Sequence, residues 1–206
     1  MNIIFCGSKG KTGSIICSYL KENGYTINNE VNLNETSLKD VIKENSIVID
    51  FTNSETALKH ANLCLEKSSH FICGTTGINE KNINKILTVS KEKNLHFIFN
   101  PNFSLGISKI IPLLHTLPSY YNDIKIIESH HISKLDSPSG TALLLKKEIK
   151  KDVPIESIRT SYKTLDHTII FKNNYEEITI THKVKDKLAY AKGVKEHLDK
   201  IITKNF

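Results

Sequence analysis

Residues 128–142 read Glu-Ser-His-His-Ile-Ser-Lys-Leu-Asp-Ser-Pro-Ser-Gly-Thr-Ala. Two imidazoles, an ammonium and a carboxylate therefore stand within a few residues of a Ser-Gly-Thr step. His130 and His131 bring the one type of side chain that changes charge near neutral pH without special tuning. Pro138 disfavours helix at Ser137, and the apolar run Ala142-Leu143-Leu144-Leu145 begins just beyond, so Ser139 is placed to cap a helix. The backbone N–H groups of Gly140 and Thr141 would then point out of a positively polarised helix start. Together with Lys134 they suit a carboxylate or a phosphate. The chemistry implied is proton transfer beside a bound anion. Taken singly, each piece is also explained by a strand end or an ordinary cap. Core packing does not require all of them in one short stretch.

A second constellation lies near the start. Gly7, Gly10 and Gly13 are spaced by two residues each, between an apolar run and a helical pattern. Glycines there permit a tight turn and bring backbone N–H groups close to a pyrophosphate. The loop supplies Ser8, Lys9, Lys11 and Thr12 as further contacts. Its spacing differs from the commoner Gly-x-Gly-x-x-Gly, and an ordinary strand-to-helix turn accounts for it about as well. Gly74-Thr75-Thr76 follows another apolar run, at the end of a strand where ligands of open α/β sheets collect.

Elements must hold these pieces. Over the first hundred residues, β-type runs at 2–6, 25–31, 46–51, 70–73 and 95–99 alternate with helical patterns at 13–23, 37–43, 54–67 and 79–93. Such alternation argues for a parallel sheet covered by helices, a Rossmann-like nucleotide-binding arrangement. A helix led by residues 102–106 and carrying Ile107, Ile110, Ile111 and Leu114 comes next. Strand runs at 124–129, 158–162, 168–172 and 177–182 then surround a single helix at 139–150. That part reads as a smaller α+β domain with a mixed sheet open on one face. An uncovered apolar sheet face favours oligomerisation. Leu188, Ala191, Val194, Leu198 and Ile201 mark a final helix.

The segment at 128–142 resembles the signature of the 4-hydroxy-tetrahydrodipicolinate (dihydrodipicolinate) reductase family, Glu-x-His-His-x-x-Lys-x-Asp-x-Pro-Ser-Gly-Thr-Ala, at every fixed position. The resemblance continues through the Gly7–Gly13 loop, Asp50-Phe51-Thr52, Gly74-Thr75-Thr76-Gly77, Asn102-Phe103-Ser104-Leu105-Gly106 and Thr181-His182, in family order. It implies a dinucleotide-binding domain at 1–102 and 188–206, and a substrate-binding and oligomerisation domain at 103–187, with a homotetrameric assembly. The chain resembles the short form of the family, compressed after Lys150.

The resemblance further implies NADH- or NADPH-dependent reduction of (2S,4S)-4-hydroxy-2,3,4,5-tetrahydrodipicolinate to tetrahydrodipicolinate with loss of water, on the route to diaminopimelate and lysine. His130 is then the proton donor, supported by Lys134. His131, Lys134, Ser139, Gly140 and Thr141 grip a substrate carboxylate, and Asp136 organises the loop. The glycine loop, Gly74, Thr75 and Thr76, and Asn100, Pro101, Asn102 and Phe103 line the cofactor. Lys11 and Thr12 stand where the family has arginine and methionine, and lysine lacks the planar fork that holds a phosphate from two sides. Glu30 and Asn32 both compete for the position that meets the adenine ribose. No metal is expected, because the cofactor supplies the reducing equivalent.

Composition fits a soluble, cytoplasmic enzyme. The chain has 206 residues, 39% of them hydrophobic, enough for one large or two small cores. Its net charge of +6 comes from lysine: of the 28 Lys and Arg residues only Arg159 is an arginine. Nucleic-acid binding, which leans on arginine forks with clustered aromatics, is not expected, nor is membrane insertion. Cys6, Cys17, Cys64 and Cys73 lack metal-ligand spacing and read as reduced core residues.

Overall fold

The computed structural model describes residues 1–162 and 165–204. Two compact units result: residues 1–103 with the segment from Lys187 onward, and Ser104–Asp186.

In the first unit five strands, β1 (Ile3–Cys6), β2 (Asn29–Val31), β3 (Ile47–Asp50), β4 (His70–Cys73) and β5 (Phe97–Phe99), form one parallel sheet in the order β2-β1-β3-β4-β5. Every residue of β1, β3 and β4 is buried, which is why these strands read as unbroken apolar runs rather than alternating ones. Helices α2 (Leu38–Val41), α3 (Ser54–Glu66) and α4 (Glu80–Glu92) cover one face. The other face packs against α1 (Gly13–Glu22) and the last helix, α7 (Leu188–Lys204), through Ile16, Leu20, Val194 and Leu198. Strand β2 is shorter than the apolar run at 25–31. Tyr25 and Ile27 pack on the core instead, and the Asn28 side chain accepts the Ile3 N–H at 2.9 Å before the ladder begins. Strand order reverses between β1 and β3, with β2 laid down on one side of β1 and β3 on the other, and the loops after β1 and β3 lie at the same end of the parallel sheet.

The second unit holds α5 (Leu105–Thr116), β6 (Asp123–His131), α6 (Gly140–Ile149), β7 (Ile155–Thr160), β8 (Leu165–Lys172) and β9 (Glu177–Lys183). Its sheet is mixed, in the order β7-β6-β8-β9: β6 and β7 are parallel and the other pairs antiparallel. Strand β6 runs two residues beyond the expected end, so His130 and His131 both lie on it and, by the two-residue period, face opposite sides. Ile124, Ile126, Glu128 and His130 share the buried face.

Registration across the strands gives that face a sharp boundary. Ile155, Ile126, Ile169 and Ile180 form one row across all four strands. They pack, with Phe171 and Ile178, under α5 and α6. The next row is Ser157, Glu128, His167 and His182. One step along the strands, a wholly apolar surface becomes a hydrogen-bonding one. The opposite face carries Thr168 and Thr181, whose hydroxyls meet at 3.1 Å, together with Ile158 and Ile170.

Close approach of α7 to its own unit is enforced by one glycine. A Cβ at Gly193 would fall 1.7 Å from the Phe103 carbonyl oxygen. Gly193→Ala is therefore expected to destabilise the protein by about 3 kcal/mol, the upper part of the overpacking range, as a lower urea midpoint. An unchanged midpoint would show that α7 does not need this contact.

Candidate active site

Glu128, fully buried, is the charged centre of the polar row. Its Oε2 meets His130 Nδ1 in a short hydrogen bond, and its Oε1 accepts from Arg159 at 2.9 Å. The Arg159 guanidinium also donates to the carbonyl oxygens of Asp136 at 2.6 Å and Ile158 at 3.0 Å. Burial by itself would push the Glu128 carboxyl up, but the hydrogen bonds from Arg159 and His130 hold it below the ordinary value. Burial lowers the His130 imidazole, the Glu128 carboxylate partly restores it, and the charges of Lys134 and Arg159 oppose its protonation. An ionised Glu128 beside a neutral His130 fixes the tautomer: Nδ1–H donates, and Nε2 carries the lone pair.

Ser139 caps α6 as its sequence implied, accepting the Ala142 N–H at 3.2 Å. Its hydroxyl also meets His167 Nε2 at 3.0 Å, and the His167 ring stands edge-on to His130 with centroids 5.2 Å apart. His182, the next residue of the row, meets the hydroxyl of Ser104, the N-cap of α5, at 2.9 Å. Two helix N-termini therefore converge on the polar end of the sheet, and both favour an anion there. Three buried nitrogens in this region, Arg159 Nε, His167 Nδ1 and His182 Nδ1, have no hydrogen-bond partner among the described residues. Buried donors of this kind are costly unless something satisfies them.

The loop after β6 differs from expectation in one respect. Rather than standing open, the Gly140 N–H lies against the Asp136 carboxylate, which Lys134 also contacts at 2.7 Å. Burial raises the Asp136 carboxyl, but Lys134 and these backbone donors hold it low. Asp136 is thus an internal carboxylate on the groups assigned to a carboxylate ligand. Thr141 is buried and likewise engaged. His131 is not brought to this cluster: on the far face of β6, its Nδ1 meets the hydroxyl and N–H of Ser133 at 2.8 and 3.2 Å.

In the first unit the glycine loop folds back on the end of β3. Gly7 has φ +84°, and a Cβ there would lie 2.6 Å from the Phe51 carbonyl oxygen; a Cβ at Gly13 would lie 2.1 Å from Gly7 O. Only bare backbone fits, so the cradle a pyrophosphate needs is built in. Thr12 precedes α1 with no side-chain cap, and the first turn carries no acid. Asn32 lies directly after β2 and reaches across to the glycine loop. Its Oδ1 accepts the Lys9 N–H at 3.1 Å, and its amide donates to the Ser8 hydroxyl at 3.0 Å. Glu30 lies inside the strand, paired with Lys21 at 2.5 Å. Lys9 pairs with Glu35, and the Lys9 and Lys11 side chains are exposed.

Thr75 and Thr52 both donate to Asp50 Oδ1, at 3.2 and 2.7 Å, and His60 Nδ1 meets Oδ2 at 2.6 Å. Buried Asp50 thereby fastens the turn after β4 to α3. The side chain of Asn100 accepts the Asn102 N–H at 3.0 Å, curling the chain at Pro101. The Phe103 ring is a core residue, set between Phe51 and His197. The ligand atoms of Cys6, Asp50 and His60 lie within 4.8 Å of one another. Asp50 and His60 already satisfy each other, and burial pushes the Cys6 thiol far up, so the trio reads as packing. All four cysteines are free and buried. No helix among the described residues is long and apolar enough to cross a membrane.

A glycine loop at the switch point of a parallel sheet, with a separate mixed sheet carrying a polar row of Glu128, His167 and His182 beside His130, is the architecture of a nucleotide-dependent oxidoreductase of the two-unit class. The chain belongs, within that class, to the dihydrodipicolinate reductase family: residues 1–103 match the model of the family's N-terminus and 107–205 that of its C-terminus. It is 31% identical to a 4-hydroxy-tetrahydrodipicolinate reductase of Buchnera aphidicola subsp. Cinara cedri, over 93% of this chain and 88% of the relative. With the enzyme of the same name from Thermosipho africanus it is 32% identical, over 91% and 85%. A dipicolinate-bound dihydrodipicolinate reductase from Paenisporosarcina sp. TG-14 shares the fold, with a TM-score of 0.74 at 22% identity over 98% of this chain and 94% of that one. Aspartate dehydrogenase from Thermotoga maritima shares it more loosely, with a TM-score of 0.63 at 10% identity over 98% and 96%.

Sequence reasoning missed Arg159, His167, Asp50 and His60 as parts of the site and gave Glu128 no role. Strand register, not spacing, joins Glu128, Arg159 and His167, and helix packing brings His60 to Asp50. His167 offers a direct check. Burial drops its pKa from 6.5 to about 3, with the His130 charge the next contributor. The unfolded chain therefore binds this proton between about pH 6.5 and 3 while the native state does not, and stability falls as pH is lowered through that window. His167→Gln should weaken this acid sensitivity by close to one proton's worth of slope in urea unfolding free energy against pH. An identical slope in the variant would mean that His167 protonates freely in the native state.

Proposed function

We propose that this chain reduces the hydroxylated cyclic dicarboxylate of its family, with His130 as the proton donor and Lys134 beside it at the carboxylate site. The Glu128–His130 pair carries this reading: a buried ionised acid holds one nitrogen of the ring and leaves Nε2 as the atom that exchanges a proton. A bound pyridine nucleotide supplies the hydride, which the substrate ring takes up together with one proton as its hydroxyl leaves as water. A dianionic substrate near His130 raises the imidazole's affinity for a proton, so the donor is loaded as substrate binds. Lys134 and the start of α6 receive a substrate carboxylate in exchange for Asp136, which keeps these groups ordered beforehand. The remaining orphaned donors, Arg159 Nε among them, favour a second anionic or carbonyl group. His131 has no part in the proton transfer. The Ile- and Thr-bearing open face of the second sheet suits self-association, and a homotetramer is the assembly we infer.

The nucleotide is held by the glycine cradle, with Ser8, Lys9, Gly10, Lys11 and Thr12 toward the phosphates and the Gly74–Thr76 turn toward the nicotinamide. Asn32 stands where an acid would repel a 2′-phosphate, and two lysines are close by. Both NADH and NADPH are accordingly accepted. Asn32→Asp should leave NADH affinity within about twofold and weaken NADPH roughly tenfold, ~1.4 kcal/mol, in a fluorescence titration of the binary complex. Equal effects on both nucleotides would remove Asn32 from the specificity argument.

Turnover of enzymatically generated 4-hydroxy-tetrahydrodipicolinate, followed as nucleotide oxidation, tests the function. His130→Ala and Lys134→Ala should each lower kcat/KM by about 10²-fold or more, whereas His131→Ala, on the far face of β6, should cost less than about tenfold. Folded wild-type protein without turnover on either nucleotide would reject the assignment.

A further inference from the structure

We propose that Glu128 and Arg159 form a positioning couple that sets both the tautomer and the proton affinity of His130. The proposal deepens the reading of His130 as donor and rests on it. Its grounds are geometric. Glu128 is fully buried, and its two oxygens are divided between different partners, Oε2 on His130 Nδ1 and Oε1 on Arg159 at 2.9 Å. Arg159 stands directly opposite His130 across the β6–β7 pair, and Glu128 is two residues before His130 on the same face. In a chain with a single arginine among 28 Lys and Arg residues, that one guanidinium reaches three acceptors: Glu128, Asp136 O and Ile158 O. An ammonium, a compact point charge, cannot serve three diverging acceptors in fixed positions. The charged or titratable groups around His130 are Glu128 on its own strand, Arg159 on β7, His167 on β8 and Lys134 in the following loop.

Removing either member of the couple shifts His130 in opposite directions. In Glu128→Gln the amide oxygen stays with Arg159, because a guanidinium only donates. The amide NH₂ must then face His130 Nδ1 and can bond it only as an acceptor. The ring should switch to the Nε2–H tautomer, and with the anion gone its pKa should fall. In Arg159→Gln the carboxylate remains and the opposing cation is lost, so the Nδ1–H tautomer should persist and the pKa should rise. A merely structural network would not give opposite signs.

The experiment is ¹⁵N NMR of the His130 ring across pH in free wild type and the two variants, alongside kcat and KM against pH. Folding of each variant is checked by circular dichroism. We expect Nδ1–H in wild type, Nε2–H in E128Q, pKa shifts of opposite sign, and a kcat about a hundredfold lower in E128Q with KM within about threefold. Should E128Q not fold, the upward pKa shift in R159Q alone decides. A His130 that keeps its tautomer in E128Q, or shifts the same way in both variants, overturns the couple. An inverted tautomer with unchanged kcat leaves the couple standing and overturns His130 as the donor.

Discussion

Ionised Glu128, with no exposed surface, constrains the second unit more than any other group. A buried carboxylate must be paired on both oxygens, and stripping a partner from such a charge costs about 3–5 kcal/mol. One pairing fixes Arg159 and through it the loop at Asp136; the other fixes the His130 ring. Ser157 lies opposite on β7 and His167 opposite on β8, so the whole polar row is organised around this one side chain. The adjacent row of four isoleucines explains how the cost is carried. A single strand period separates the apolar packing that stabilises the sheet from the polar groups that serve chemistry. The chemistry is thus anchored to rigid strands and not to loops.

The first unit follows a parallel rule. Asp50 sits at the end of β3 between Cys6 of β1 and Cys73 of β4. It gathers Thr52, Thr75 and His60, and so ties the turn after β4 to the sheet and to α3. Asn32 does the same for the glycine loop at the end of β2. In both places a short polar side chain just past a buried strand converts the sheet's rigidity into a fixed loop. Rigid loops lose less entropy on ligand binding, which is where their value lies.

Much of this was legible in the sequence, for definite reasons. Parallel strands buried on both faces announce themselves as apolar runs, and α6 announces itself through Ser139 and the leucines that follow. The residues around the start of α6 could be read as one group because they are contiguous. Glu128, Arg159 and His167 were not assembled because they come from three strands, and which residue faces which depends on register, to which local pattern is blind. The end of β6 was misjudged for a related reason: His130 and His131 break the apolar pattern, yet the first is buried by pairing rather than by hydrophobicity. The sequence reads Asp136 as organising its loop, but an acid in a loop carries no sign that it will do so by turning back upon a helix start.

Fold alone could not have chosen among activities, since aspartate dehydrogenase has the same architecture at 10% identity. What separates the possibilities is the chemistry of the polar row. A site for a dicarboxylate needs several fixed donors and little negative charge that is not already compensated. Here the two acids nearest the site, Glu128 and Asp136, are each neutralised by a basic partner within 2.9 Å. Of the neighbouring histidines His167 is buried and His182 half-buried, and desolvation pushes both imidazoles below their ordinary value, so neither readily adds a fixed charge. Further attraction for an anion comes from the two helix starts and the unspent Nε–H of Arg159. All but one of the 28 Lys and Arg residues in this chain are lysines, and the single arginine stands where planar geometry, and not charge alone, serves three acceptors.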